Sequence, residues 1–230
     1  MKQLTHPLAV PRQLQRRQQQ AVDDPRTAWQ RFRGKAEIYD ALLPAQRHLC
    51  AYCEVELDNR EEALGYHIEH IESKSGNPLL TFEFHNLMLS CFKTGNEAEQ
   101  SNEDLNPVSC GHSELKRNNQ YDASLFIKPT EQDCQRYFFY ELDGRVVPHP
   151  DLNETEAARA DHTIEVLNLN CLRLQRDRGD MIREGLEIIS DLADDDCALK
   201  CFLHLELNEI ATNKLFAFHT TRCQFFQDLA

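Results

Sequence analysis

No apolar run in this 230-residue chain approaches the roughly 18 residues that a membrane-spanning helix needs. The opening MKQLTHPLAVPRQLQRRQQQ lacks the apolar stretch of a secretory signal, so the expected location is the cytoplasm. Positive charge is in short supply: 25 Lys and Arg face 38 Asp and Glu, for a net charge of −13. That balance argues against a simple nucleic-acid binder, whose footprint is usually basic. Internal repeats and low-complexity linkers are also missing, and one compact unit is the economical description.

What is present is a soluble globular composition, 41% hydrophobic and 27% charged, long enough for a substantial core. The charge is unevenly spread. Residues 1–47 carry nine Lys/Arg against four Asp/Glu, whereas residues 131–230 carry ten against twenty. A phosphate-tracking surface therefore falls to the N-terminal arm, on Arg12, Arg16, Arg17, Arg26, Arg31 and Arg33. Otherwise a partner must present any nucleic acid to so negative a chain. An ordinary solvated helix face is the competing reading of those arginines.

Three segments follow from the patterning. Residues 1–48 form an arm and a helix from about Pro25 to Leu43, with Trp29, Phe32, Ile38, Leu42 and Leu43 inward and Pro44 ending it. Residues 49–128 are poor in periodic patterns and rich in His, Cys, Asn and turn residues, so a metal staple is a plausible source of their stability. Residues 129–230 begin with a hairpin, CQRYFFYELDGRVVPH, whose Asp143-Gly144 suits a type I′ turn. Helical patterns follow, with Ile164, Leu167 and Leu174 on one stripe. A Met181–Leu192 helix comes next, then an acidic break at Asp191–Asp196 and a last helix of Ala198–Phe218 character. The predicted class is α+β, mainly helical.

Nine cysteines in an apparently unsecreted chain read as metal ligands plus buried thiols rather than a disulfide framework. Cys171, Cys197, Cys201 and Cys223 are taken as small core residues. A metal on Cys197, Cys201 and His204, which share a helical face, is the alternative. Cys50-Ala51-Tyr52-Cys53 is a zinc knuckle, and Cys91 and Cys110 are its expected second pair, split by FKTGNEAEQSNEDLNPVS. Four free, partly buried thiols would be the bland reading.

Between the two pairs lie Glu69-His70 and Asn86. Phosphodiester hydrolysis needs an activated water, a divalent ion and relief of charge on the leaving oxygen. A neutral histidine is the natural base near pH 7. Glu69 supplies a metal-ligating carboxylate, Asn86 an orienting amide across a hairpin, and His112 the next ligand-type side chain. Alone, a Glu-His pair is usually a surface ion pair; the order Cys-Cys, Glu-His, Asn, Cys, Cys gives it weight. His67 should face away from His70 on a strand and is read as structural. His48 and His85 are read as incidental, and Tyr52 and Phe82 as core.

The runs LCAYCE, HIEHIESKS, HNLMLSC and CGHSELKRN resemble the HNH (ββα-metal) endonucleases, most closely the Septu-type, PtuB-like anti-phage branch also found beside retrons. LDGRVVP and TIEVLNLNCLRLQRDR resemble its C-terminal pattern, so the likeness touches about residues 36–180. It implies a ββα-metal module with a structural Zn²⁺ on Cys50, Cys53, Cys91 and Cys110. It implies His70 as general base, Glu69 and His112 as ligands of a catalytic Mg²⁺ or Mn²⁺ (Asn118 being the alternative to His112), and Asn86 as orienter. Lys74 is then placed to touch the phosphate. Glu72 stands where the pattern expects proline. The implied setting is phage defence on a DNA substrate, beside a PtuA-like ABC-type ATPase, with or without a retron reverse transcriptase and its DNA–RNA product. The helical half, residues 154–230, is the first choice for docking that partner. Two other readings compete: a zinc-stapled interaction module with a degenerate centre, and an RNase of the same fold.

Overall fold

The computed structural model describes residues 1–20, 23–58, 64–92, 108–211 and 213–229. Three helices open the chain: α1 (Arg12–Gln18), α2 (Pro25–Arg31) and α3 (Lys35–Ala45). Asp24 starts α2 by accepting the Arg26 and Thr27 amides, with Pro25 at the first helical position. The single helix expected from Pro25 to Leu43 is broken at Phe32–Gly34. Phe32 turns extended and its ring stacks on Trp29 at 5.8 Å. A Cβ on Gly34 would lie 2.5 Å from the Phe32 ring and 2.6 Å from the Gln13 Cβ, so only glycine lets these segments close up. Nor does Pro44 end α3; it sits inside the last turn.

Strands β1 (Tyr66–His70) and β2 (Leu87–Cys91) pair antiparallel, with Glu69 opposite Met88 and His70 opposite Leu87. Leu87, Met88 and Leu89 are wholly buried. Helix α3 grips both strands. The Tyr39 ring meets the Tyr66 ring of β1 edge-on at 5.6 Å. Gln46 donates to the carbonyl oxygens of Leu49 and Leu89, each at 3.0 Å, and accepts the Leu89 amide at 2.7 Å. Beyond the described residues that follow Cys91, a 3-10 turn at Cys110–His112 leads into a single-turn helix, α4 (Glu114–Arg117).

A second hairpin pairs β3 (Phe138–Tyr140) with β4 (Val146–Pro148). The Glu141 amide reaches the Arg145 carbonyl and Gly144 alone has positive φ in the turn. The connection is thus a three-residue loop with a left-handed glycine rather than the expected type I′ turn, whose two central residues both need positive φ. A side chain at Gly144 would strike the Gln175 carbonyl at 1.9 Å, so the loop is fitted to the helix beneath it.

The remainder is α5 (Glu154–Val166), α6 (Leu172–Asp191), α7 (Asp196–Leu207) and α8 (His219–Phe226). Asn153 and Glu156 form a capping box on α5. The helix expected from Met181 begins nine residues earlier, at Leu172, and the one expected to reach Phe218 stops at Leu207. Asn208 is extended and Phe218 left-handed, which separates α7 from α8. Cys171 is buried as expected, whereas Cys197 and Cys201 are exposed, because α7 turns only Leu203 fully inward. Among the described residues Cys197, Cys201 and His204 form no ligand cluster. The protein is thus α+β, helix-rich, with two small sheets. One buried core joins Leu14 and Ile38 to Phe126, Leu174 and Phe226. No described helix is long and apolar enough to cross a membrane.

Glu54, directly after the cysteine knuckle, ties three parts of the chain together. Its buried carboxylate pairs with the Met1 ammonium at 2.9 Å and accepts from the Thr220 amide at 2.7 Å and from the Thr220 hydroxyl. Burial pushes its pKa up, but the Met1 charge and the Thr220 hydrogen bonds outweigh burial and leave it below the usual glutamate value. Removing one partner of a buried pair costs about 3–5 kcal/mol, and Glu54→Gln should lower stability by that order. A carboxylate with depressed pKa stabilises fully above its unfolded value and loses that contribution as pH falls through the folded one. Denaturation should therefore separate wild type from Glu54→Gln above about pH 4.5 and bring them together in stronger acid. Equal stabilities at pH 7 would refute the strut.

Candidate active site and metal centre

The four cysteines expected to hold zinc converge. Their sulfur atoms all lie within 4.8 Å of one another, all four residues are buried, and the Cys53 and Cys91 sulfurs are 3.8 Å apart. A tetrahedron with Zn–S bonds of about 2.3 Å has edges of about 3.8 Å, so a zinc ion fits the donor set. Burial opposes ionisation of Cys50, and hydrogen bonds from Cys110, Cys53 and Cys91 overcome it. The Cys110 thiol is pushed well above its ordinary value, first by burial. Four buried thiols held this close need a cation to become four thiolates. Glu54, Phe92 and Cys110 all adopt left-handed backbone at the corners of the clamp. Arg173 and Arg178 of α6 are buried nearby, and the cysteine sulfurs favour the charge of both.

The β1–β2 hairpin runs from this clamp to a far end at which His70 is 4% exposed. Nε2 of His70 lies 3.0 Å from the Thr81 carbonyl, and Nδ1 lies 3.2 Å from the Lys74 ammonium. A carbonyl only accepts and an ammonium only donates, so Nε2 carries the proton and Nδ1 the lone pair. Burial, then the Lys74 charge, drops the imidazole to about 3, which keeps that lone pair available at neutral pH. Trp29 of α2 stands edge-on over the ring at 4.6 Å.

Asn86 is tied to the backbone of the loop between the two strands. It accepts the Glu72 amide at 2.8 Å and donates to the carbonyls of Glu72 (3.0 Å) and Leu80 (3.1 Å). These bonds fix the loop that ends at Thr81, the acceptor for His70. Asn86→Ala is expected to leave buried backbone groups unpaired, at about 1–3 kcal/mol each, and to let the Thr81 carbonyl drift from the ring. Melting should fall while bound zinc stays; an unchanged melting curve would show that the loop holds itself.

Glu69 points to the other face of β1. Its Oε1 lies 3.2 Å from the Lys116 ammonium and its Oε2 3.3 Å from His67 Nε2. Burial raises its pKa, but Lys116 and the His67 hydrogen bond bring it down to about 2. Lys116 also donates to the His70 and Ile71 carbonyls. The His112 ring is buried against His67, centroids 3.8 Å apart, whereas Asn118 caps the exposed end of α4. His112 and Glu69 thus each contact His67, whereas Asn118 is exposed.

Sequence reasoning overlooked Lys116, Thr81 and Trp29 as parts of this site. Lys116 had a local signal, since it lies one helical turn after His112; Trp29 and Thr81 are brought in by tertiary packing alone. Of the arm arginines, Arg12, Arg16, Arg26, Arg31 and Arg33 are exposed, while Arg17 covers the Phe82 ring at 4.5 Å. Burial lowers Lys74, Glu69 opposes this, and the charges of Lys116, Lys35 and Arg26 add to the lowering. His70 therefore sits beside a concentration of cations in an acidic chain.

No family model matches the chain. Over 162 residues it is 31% identical to the protein of Vibrio cholerae serotype O1 biovar El Tor assigned as the HNH endonuclease of retron Vc95. That match covers 69% of this chain and 70% of the relative. Over 184 residues it is 29% identical to the Escherichia coli protein assigned as the HNH endonuclease of retron Ec83, covering 68% and 71%.

Proposed function

Because the chain belongs to the retron-associated HNH endonucleases, we propose that β1, β2 and α4 form a ββα-metal centre that hydrolyses DNA phosphodiester bonds. The observation that carries this reading is a fixed, neutral His70, with no proton of its own on Nδ1, at the end of the strand whose other face holds Glu69 against His67, with the His112 ring packed on His67. Oxygen and imidazole donors of this kind suit Mg²⁺ or Mn²⁺, and the bound ion would supply charge relief at the phosphate and the leaving oxygen.

The rest falls to the chain's own groups. His70 Nδ1 takes a proton from water as the water oxygen attacks phosphorus, and the bond from phosphorus to the departing sugar oxygen breaks. Thr81 holds the ring by its Nε2 proton, and Asn86 holds Thr81's loop. Lys74, which now donates to Nδ1, must move off for water to enter, and the substrate phosphate is the anion that draws it away. The exposed arm arginines flank the approach and track the backbone.

The setting we infer is anti-phage defence of the Septu type, with a PtuA-like ABC-type ATPase presenting DNA, beside a retron reverse transcriptase and its DNA–RNA product. The relatives' retron assignments support the retron setting, and the net charge of −13 favours a partner that presents the nucleic acid. Supercoiled plasmid and single-stranded RNA, each incubated with the chain alone and with the ATPase in Mg²⁺, Mn²⁺ or EDTA, test it. Metal-dependent plasmid nicking is expected. Cleavage of RNA alone would reassign the substrate, and cleavage persisting in EDTA would remove the metal from the mechanism.

A further inference from the structure

The side of β1 that carries Glu69 also carries His67, and its ring is held in one sense. Nδ1 lies 2.7 Å from the Phe92 carbonyl, which can only accept, so Nδ1 bears a proton. In the neutral ring Nε2 then presents a lone pair, and it faces the Oε2 of Glu69 at 3.3 Å. Two lone pairs facing each other at 3.3 Å require a cation between them, either a proton or a metal ion. An imidazole that donates one nitrogen to a backbone carbonyl and turns the other toward a carboxylate has the arrangement of a metal-ligating histidine.

The space for an ion is defined by Gly111, beside His112. A Cβ built on Gly111 would stand 2.7 Å from Glu69 Oε2 and 3.0 Å from His67 Nε2, so the bare glycine leaves a hollow bordered by both donor atoms. An ion about 2.1 Å from each of two donors 3.3 Å apart is seen at an angle of about 100°, close to the right angle of an octahedral site. Lys116 occupies Oε1 only and leaves Oε2 for the ion. The His112 ring packs against His67 on the same side.

We infer that His67 is a ligand of the catalytic divalent cation, coordinating through Nε2 beside Glu69 Oε2, over a hollow kept open by Gly111. The inference deepens the metal-centre reading above and rests on it.

The test is Mn²⁺ binding to the zinc-loaded full chain, followed by calorimetry and by the ¹⁴N couplings that bound imidazoles impose on the Mn²⁺ electron spin. His67→Asn places an amide donor near the position of Nδ1, keeping a partner for Phe92, and removes the ligand atom. Wild type should bind one Mn²⁺ with two imidazole couplings. His67→Asn should weaken binding at least about tenfold and lose one coupling, with zinc content unchanged. Gly111→Ala should also lose Mn²⁺, by filling the hollow without touching a ligand. Undiminished affinity and couplings in His67→Asn would overturn the assignment, provided Glu69→Gln loses the ion. If wild type takes up no Mn²⁺, or Glu69→Gln binds as tightly, the metal-centre reading itself falls and this inference with it. Should His67→Asn fail to fold, wild-type Mn²⁺ binding by Gly111→Ala would overturn it alone.

Discussion

Alanine at position 70 is expected to slow phosphodiester cleavage by about 10²–10⁴-fold, the usual contribution of a positioned general base. The loss is specific because two constraints on the ring leave Nδ1 as its only basic atom: the Thr81 carbonyl takes the Nε2 proton, and burial beneath Trp29 keeps the ring neutral. Alanine also removes the ring that Trp29 covers, so a companion variant is needed. His70→Gln can still donate to the Thr81 carbonyl through its side-chain nitrogen, fills most of the space and has no base. Both variants should retain zinc and a cooperative melt, and both should be inactive. Cleavage at a wild-type rate by His70→Gln would mean that a different group activates the water.

Stripping the zinc should have the larger effect on the fold. Structural zinc sites contribute apparent binding energies of about 10–16 kcal/mol, comparable to the whole stability of a domain at about 5–15 kcal/mol. The clamp joins the end of the α3 connection (Cys50, Cys53), the end of β2 (Cys91) and the turn before α4 (Cys110), so every element of the site is anchored to it. Three left-handed residues at its corners add backbone strain that only the closed clamp sustains, at about 1–3 kcal/mol each. Without the ion, Cys53→Ser should lose cooperative melting and amide-exchange protection across residues 66–91. Elemental analysis should return one tightly held zinc in wild type. A Cys53→Ser protein that melts like wild type would reduce the cluster to four packed thiols.

How much of this was legible beforehand depended on the range of the signal. The clamp was readable because Cys50 and Cys53 share a turn and Cys91 closes an apolar strand. The 3-10 turn that brings Cys110 back is not local, so Cys110 was named by its residue type after Cys91 rather than by any local pattern. Asn86 was legible as a residue type, while its three backbone partners lie on a loop without periodicity. Trp29 read as one position on a helical stripe; that it covers His70 depends on the break at Phe32–Gly34, which no period reveals. The exposure of Cys197 and Cys201 escaped for the opposite reason. Their pattern is apolar enough for a core, and α7 simply has no neighbour on that side to cover them. His67 was assigned to structure on strand alternation, which correctly separates it from His70. The same alternation places it beside Glu69.

The grip of α3 on the first sheet bears on how this protein could be cut. With Tyr39 packed on Tyr66 of β1 and Gln46 bonded to Leu89 of β2, α3 covers both strands where further strands would otherwise pair. A truncation starting at residue 49 would keep all four zinc ligands, yet it would leave bare, pairable edges on both strands. Such edges recruit other chains, so the excised fragment should self-associate rather than behave as a minimal nuclease. The N-terminal helices are, in this sense, a built-in guard against aggregation.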